Sequence, residues 1–266
     1  DVEDMPANIE AGIPYGVTWT IPTSYAPTLI GYTFDGWATS AGGAKVTSLP
    51  ATASTTLYAR WIAASGYNVI FYASQTATSK GSAYHTTAAG LWTADITKPA
   101  TNPTRLGYTF AGWRVQQNGV SATGNQLFAS STSMKFYEMF ALAKAAQTAL
   151  ADGTTKTLEV FAEWTKLGEV EVILNPNGGS YNNKTGNTTS TELSGTGEKL
   201  LNGSSWTIPT NKTNPTRAGY NFKGWSDGAG NVYDAGDTIS NITTNKTLTA
   251  VWEGAKITFT FDKGAT

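Results

Sequence analysis

With 266 residues, a net charge of −1 and only 14% charged residues, the chain has no basic stripe for nucleic acid and no electrostatic attraction to an anionic membrane. It contains no cysteine, which excludes a disulfide framework and thiol chemistry, and its single histidine argues against a zinc site. No apolar run is long enough to span a bilayer and no secretory signal opens the sequence. The expectation is a mature or excised piece, long enough for two or three modest domains, with no membrane insertion of its own.

Residues 1–14 show no alternation, and the first strand signal is Gly16-Val-Thr-Trp-Thr-Ile21. An eleven-residue stretch follows, Pro27-Thr-Leu-Ile-Gly-Tyr-Thr-Phe-Asp-Gly-Trp37. It returns as Pro103-Thr-Arg-Leu-Gly-Tyr-Thr-Phe-Ala-Gly-Trp113 and as Pro215-Thr-Arg-Ala-Gly-Tyr-Asn-Phe-Lys-Gly-Trp225. An internal repeat of this kind sets the architecture before any local reading does. Pro holds its own φ and extends the residue before it. Gly31, Gly107 and Gly219 supply a positive-φ turn or a close backbone approach. In the run that follows, Tyr32 and Phe34 share one strand face, as do Tyr108 and Phe110, and Tyr220 and Phe222. The next glycine breaks the alternation as a bulge and re-aims Trp37, Trp113 or Trp225.

Each copy has an upstream tryptophan, read as Trp19, Trp92 and Trp206, and a downstream strand ending in Trp61, Trp164 or Trp252. These positions use all nine tryptophans, three per unit, so three small aromatic cores explain them better than a sugar-stacking platform. The units are 1–61, which lacks a first strand, then 67–164 and 169–252. Strand signals open the second at Tyr67-Asn-Val-Ile-Phe-Tyr72 and the third at Glu169-Val-Glu-Val-Ile-Leu174. The second also carries a helical insertion, 131–152, rich in Ala, Met, Phe and Leu, which reads as a surface helix or, more sharply, a partner-binding one. Residues 256–266 begin a further unit, with Ile257, Phe259 and Phe261 on one face of a strictly alternating strand. The units are expected to unfold separately, as linked domains with little shared core do.

The motif Gly-Tyr-x-Phe-x-Gly-Trp, with its Pro-Thr-Arg lead-in and a closing Ala-x-Trp strand, resembles the Listeria–Bacteroides repeat, or internalin B-repeat, family. Gly31, Tyr32, Phe34, Trp37 and Trp61 carry the resemblance in the first unit, and Gly107, Tyr108, Phe110, Trp113 and Trp164 in the second. Gly219, Tyr220, Phe222, Trp225 and Trp252 carry it in the third. Leu29 stands where the other copies have Arg105 and Arg217. The resemblance implies a mainly β protein of tandem small β-grasp-like units. It implies a bacterial cell-surface or secreted, extracellular location, and a role as spacer or adhesion module for a glycan or host protein. It carries no catalytic residue.

The residues themselves point the same way. His85 lies in the polar loop Gly81-Ser-Ala-Tyr-His85, where a solvated histidine is expected. The segment 227–237 is dense in oxygen ligands but lacks the bidentate Glu and spacing of an EF-hand, so two hairpin turns explain it better than calcium. Carboxylates do not recur with the repeats, against a paired-carboxylate hydrolase. The alternative function is a carbohydrate-binding accessory region of a secreted enzyme. It needs a coplanar exposed pair among Tyr15, Tyr25, Tyr72, Tyr84, Tyr137, Tyr181 and Tyr233. No enzyme activity, cofactor or metal is expected. One further contact is: head-to-tail self-association through 256–262, whose hydrophobic face and unpaired edge are a template for another chain.

Overall fold

The computed structural model describes residues 2–3, 5–7, 12–73, 80–118, 121–143, 156–262 and 264. Packing divides the chain into two compact units, one of residues 1–103 with 110–164 and one of 104–109 with 165–266. The chain is mainly β, in several small sheets. Each copy of the motif forms the same strand pair. Tyr32–Ala38 pairs antiparallel with the closing strand Tyr58–Ala63, and Tyr220–Ser226 does so with Lys246–Gly254. In the second copy Tyr108–Asn118 lies beside Thr157–Lys166.

The alternation breaks where the sequence predicts. The ladder shifts register between Phe34 and Gly36, and between Phe222 and Gly224, each glycine at strongly positive φ. The extra residue turns the following tryptophan inward. Phe34 then sits edge-on to Trp37 and Trp61 at 5.4 and 5.5 Å between ring centroids. Phe110 repeats this with Trp113 and Trp164 at 5.2 and 5.8 Å, and Phe222 with Trp225 and Trp252 at 5.4 and 5.7 Å. The edge-to-face geometry sets the positive rim of one ring against the negative face of the next. A cross-strand ion pair spans each pair of strands outside this trio: Arg60–Asp35 at 2.9 Å, Arg114–Glu163 at 2.7 Å and Lys223–Glu253 at 2.9 Å.

The second and third copies add an opening strand parallel to the closing one. Ser65–Tyr72 runs beside Thr157–Lys166, and Val172–Asn175 beside Lys246–Gly254. The inward residues Val69, Phe71, Val172 and Leu174 are fully buried. A small two-stranded sheet completes each copy: Thr18–Thr20 with Ser48–Pro50, Asp95–Thr97 with Ser133–Lys135, and Ser204–Thr207 with Thr238–Ile242. In the third copy a short helix, Ser190–Ser194, starts at a capping box built by Thr189 and Glu192.

These small sheets correct the reading of Trp92. Trp19 pairs with Leu49 and Trp206 with Ile239, but the residue in that place in the second copy is Ile96, opposite Met134. The proline three positions on, Pro22, Pro99 or Pro209, marks the true register. Trp92 lies four residues earlier and does a different job. Its ring packs on the backbone of Gly31 in the first copy, where an added Cβ would fall 2.1 Å from the indole. Its backbone N–H donates to the Ala64 carbonyl at 2.8 Å. The first two copies therefore share a packed junction.

The insertion also differs from expectation. Its described helix is Phe136–Ala143, Ser133–Lys135 before it is a strand, and 144–152 lies outside the described residues. The apolar stripe Phe136, Met139, Phe140 and Ala143 is buried, not presented to a partner. Phe136 meets Tyr67 at 5.0 Å and Trp92 at 5.6 Å, and Phe140 meets Trp92 at 4.9 Å. The helix fills the core that Trp92 opens.

Candidate functional site

The first copy differs from the others at one edge. Its sheet runs Val2–Glu3, Thr28–Leu29, Tyr32–Ala38, Tyr58–Ala63, so among the described residues the closing strand is an edge strand. In the other two copies the parallel opening strand covers that edge. The strand is also shorter there. The closing strand begins at Thr157 and Lys246 in those copies, seven and six residues before its tryptophan, but at Tyr58, three before Trp61, in the first. Residues 54–57 are left without a ladder.

The core beneath is correspondingly open. Leu57 is half-buried, while Val160 and Leu248 in the same place are fully buried. A groove of about 500 Å³ results, floored by Trp19, Trp37, Leu49 and Leu57 and rimmed by Met5 and Tyr15. Trp37 donates its indole N–H to the Tyr25 carbonyl at 2.8 Å, which fixes the ring at the groove wall. Tyr15 is 84% exposed. Backbone donors and acceptors along one edge and an apolar floor beside them are what an extended peptide needs.

The residues of the repeated motif serve the fold. Trp37, Trp113 and Trp225 are buried, and Phe34, Phe110 and Phe222 are half-buried between them and the closing tryptophans. Trp164 and Trp252 donate their indole N–H groups to the carbonyls of Ala73 and Pro176, both at 3.1 Å. Tyr32 and Tyr108 are half-buried, and Tyr220 is exposed beneath the Arg217 guanidinium, 4.1 Å from its ring. Gly31 and Gly107 are buried under the residues that seat on them, Trp92 and Leu201, whereas Gly219 is exposed.

The remaining candidates have structural surroundings. His85 sits exposed on a two-residue strand beside Ser65–Tyr72, its ring 5.9 Å from Phe71. Asp227 closes a turn: its carboxylate accepts from the backbone of Ala229 and Asn231 at 2.9 and 3.1 Å and from the Asn231 side chain at 2.8 Å. These donors, the Asn231 side chain first, hold its pKa far below the usual carboxylate range. Asp237 similarly accepts from the Asp234 backbone at 2.8 Å. Of the seven tyrosines, Tyr181 is buried against Trp225 and Tyr72 stacks on Phe161. Among the described residues no two of the seven stack on each other. No described helix is long and apolar enough to cross a membrane.

The comparisons with known proteins agree with the repeated core. No curated protein and no solved structure matches the chain. The family model described as the Listeria-Bacteroides repeat domain matches three times, at residues 4–60, 67–137 and 171–251. Those spans take in each motif strand with its tryptophan and most of the chain. This chain therefore belongs to the Listeria-Bacteroides repeat domain family.

Proposed function

We propose that the chain is a non-catalytic spacer and contact module of a bacterial surface or secreted protein, and that the open groove of its first repeat is the contact site. The family is associated with bacterial extracellular or surface proteins and is typically non-catalytic, which supports the first part. The observation that carries the second is the bare edge at residues 54–58 beside an apolar floor of Trp19, Trp37, Leu49 and Leu57. The ligand class is an extended peptide with alternating apolar side chains. Its main chain would complete the ladder and its side chains would enter the groove, as Val69 and Phe71 enter the second repeat.

An array of short peptides with alternating large apolar residues, beside an array of bacterial and host glycans, tests this on the whole chain. Peptide binding that is lost with Leu57→Asp supports the reading. Binding to glycans alone would replace it with the carbohydrate-binding alternative.

A further inference from the structure

The outer face of the closing strand is built differently in each repeat. The position before the closing tryptophan holds Arg60 in the first and Glu163 in the second, and both are locked to the facing strand, Arg60 to Asp35 at 2.9 Å and Glu163 to Arg114 at 2.7 Å. In the second repeat Phe161, two residues further back, is buried and stacked on Tyr72, and Glu159 pairs with Lys80 at 2.6 Å. In the third repeat the same three places hold Val251, Thr249 and Thr247, and the ion pair has moved two residues on, to Glu253 with Lys223. Leu248 and Ala250 point into the core, so their neighbours point outward. Thr247 is exposed and Thr249 and Val251 are half-buried. With Ser226, which faces Thr249 across the ladder, they floor a groove of about 500 Å³.

Two charged residues line this groove, Asp227 and Arg217. Asp227 is satisfied: its carboxylate takes the turn donors described above, lies 3.4 Å from Lys246 Nζ, and its side chain is only 2% exposed. Arg217 is not. Its guanidinium lies over the Tyr220 ring at 4.1 Å and donates from Nη1 to the Asn177 carbonyl at 3.3 Å, with no carboxylate partner among the described residues. Ring and carbonyl hold the cation in place and leave most of its five N–H donors free. The backbone here is no template for a peptide, because the closing strand Lys246–Gly254 has a ladder neighbour on each side. The floor offers three hydroxyls and one apolar side chain, Val251, with the partly exposed rings of Tyr220 and Trp252 beside them.

We propose that this groove binds an acidic polysaccharide through its hexuronate units. A sugar carboxylate lies against the free N–H groups of Arg217, whose paired donors match its two oxygens. The sugar hydroxyls exchange hydrogen bonds with Ser226, Thr247 and Thr249, and Tyr220 and Trp252 border the ring carbons. The site is independent of the groove in the first repeat, and each chain carries one.

Isothermal titration of the whole chain with oligogalacturonate, in the presence of a chelator, tests this. The expected result is one site per chain, weakened at least about tenfold when the carboxylates are methyl-esterified or when Arg217→Leu removes the cation. That variant gives the third repeat the residue that the first carries at this position, Leu29. Thr249→Phe copies Phe161 of the second repeat, fills the groove and is expected to abolish binding. Unchanged near-ultraviolet circular dichroism shows that either variant is folded. Leu57→Asp in the first repeat is expected to leave the titration unchanged, so this site and the first groove stand or fall separately. The proposal is overturned by a chain that does not bind oligogalacturonate, by equal binding of the methyl ester, of polyglutamate or of a sulfated glycan, by a folded Thr249→Phe that binds normally, or by binding that is lost with Leu57→Asp.

Discussion

Trp225 is fully buried between Phe222 and Tyr181, with ring centroids 5.4 and 5.1 Å away. Truncating it leaves a cavity the surrounding strands cannot collapse, so Trp225→Ala should cost about 3–5 kcal/mol, measured as a shift in the urea midpoint. Trp37→Ala should cost less, because its core already opens on the groove. Gly31 and Gly219 share a positive φ but not a neighbourhood. Gly219→Ala meets only the left-handed backbone penalty, about 1–2 kcal/mol, whereas Gly31→Ala also drives a Cβ into the Trp92 ring. A larger loss of stability in Gly31→Ala than in Gly219→Ala is therefore expected from parallel denaturation curves. Asp227 adds a pH term. Its folded pKa is lowered, so its contribution is present above the unfolded value, about 3.9, and is lost as pH falls toward the folded one. Asp227→Asn should leave the third repeat less stable near neutral pH but flatten its acid loss below about pH 4, read from urea midpoints across that range.

At the scale of elements, the helix Phe136–Ala143 is the clearest departure from the sequence reading. Its composition marks a helix, and the absence of such a segment in the other copies suggests an ornament that could be removed. Packing says otherwise. Phe136 and Met139 are fully buried, and the preceding strand Ser133–Lys135 is the ladder partner of Asp95–Thr97. Lys135 also donates to Asp95 at 2.7 Å across that ladder. Deleting the insertion should unfold the second repeat, seen as loss of near-ultraviolet circular dichroism from its tryptophans. Phe136→Ala alone should cost about 3–5 kcal/mol. A folded, cooperative deletion variant would show that the helix is dispensable.

At the scale of the whole molecule, motif units and packing units do not coincide. The sequence repeats three times, but the chain packs as two units, and the first holds the ring trios of the first two copies with the Gly31–Trp92 junction, while residues 104–109 of the second motif pack in the other unit. Separate unfolding of three beads is then not the expectation. Calorimetry should resolve two transitions, and Trp92→Ala should lower the first without moving the second. Three independent transitions in the unmodified chain would mean that the junction contributes little.

What the sequence determined by itself was the repeated trio of rings and the kink that forms it. Those depend on local rules, a two-residue strand period and a glycine where the strand must bulge, and both are written in eleven consecutive residues. The family followed from the same residues. What only the tertiary structure decided concerned residues far apart in the chain. Trp92 read as an upstream tryptophan because it is followed by threonine, yet its place was set by the ladder of Ile96 with Met134, nearly forty residues away. The helix stripe read as surface because nothing local says what covers it. The groove lies along the edge that a parallel strand covers in the other copies, and parallel pairing joins segments separated by a whole unit, as with Phe71 and Val160. Burial is a property of such distant partners, so it emerges only when the chain has folded around them.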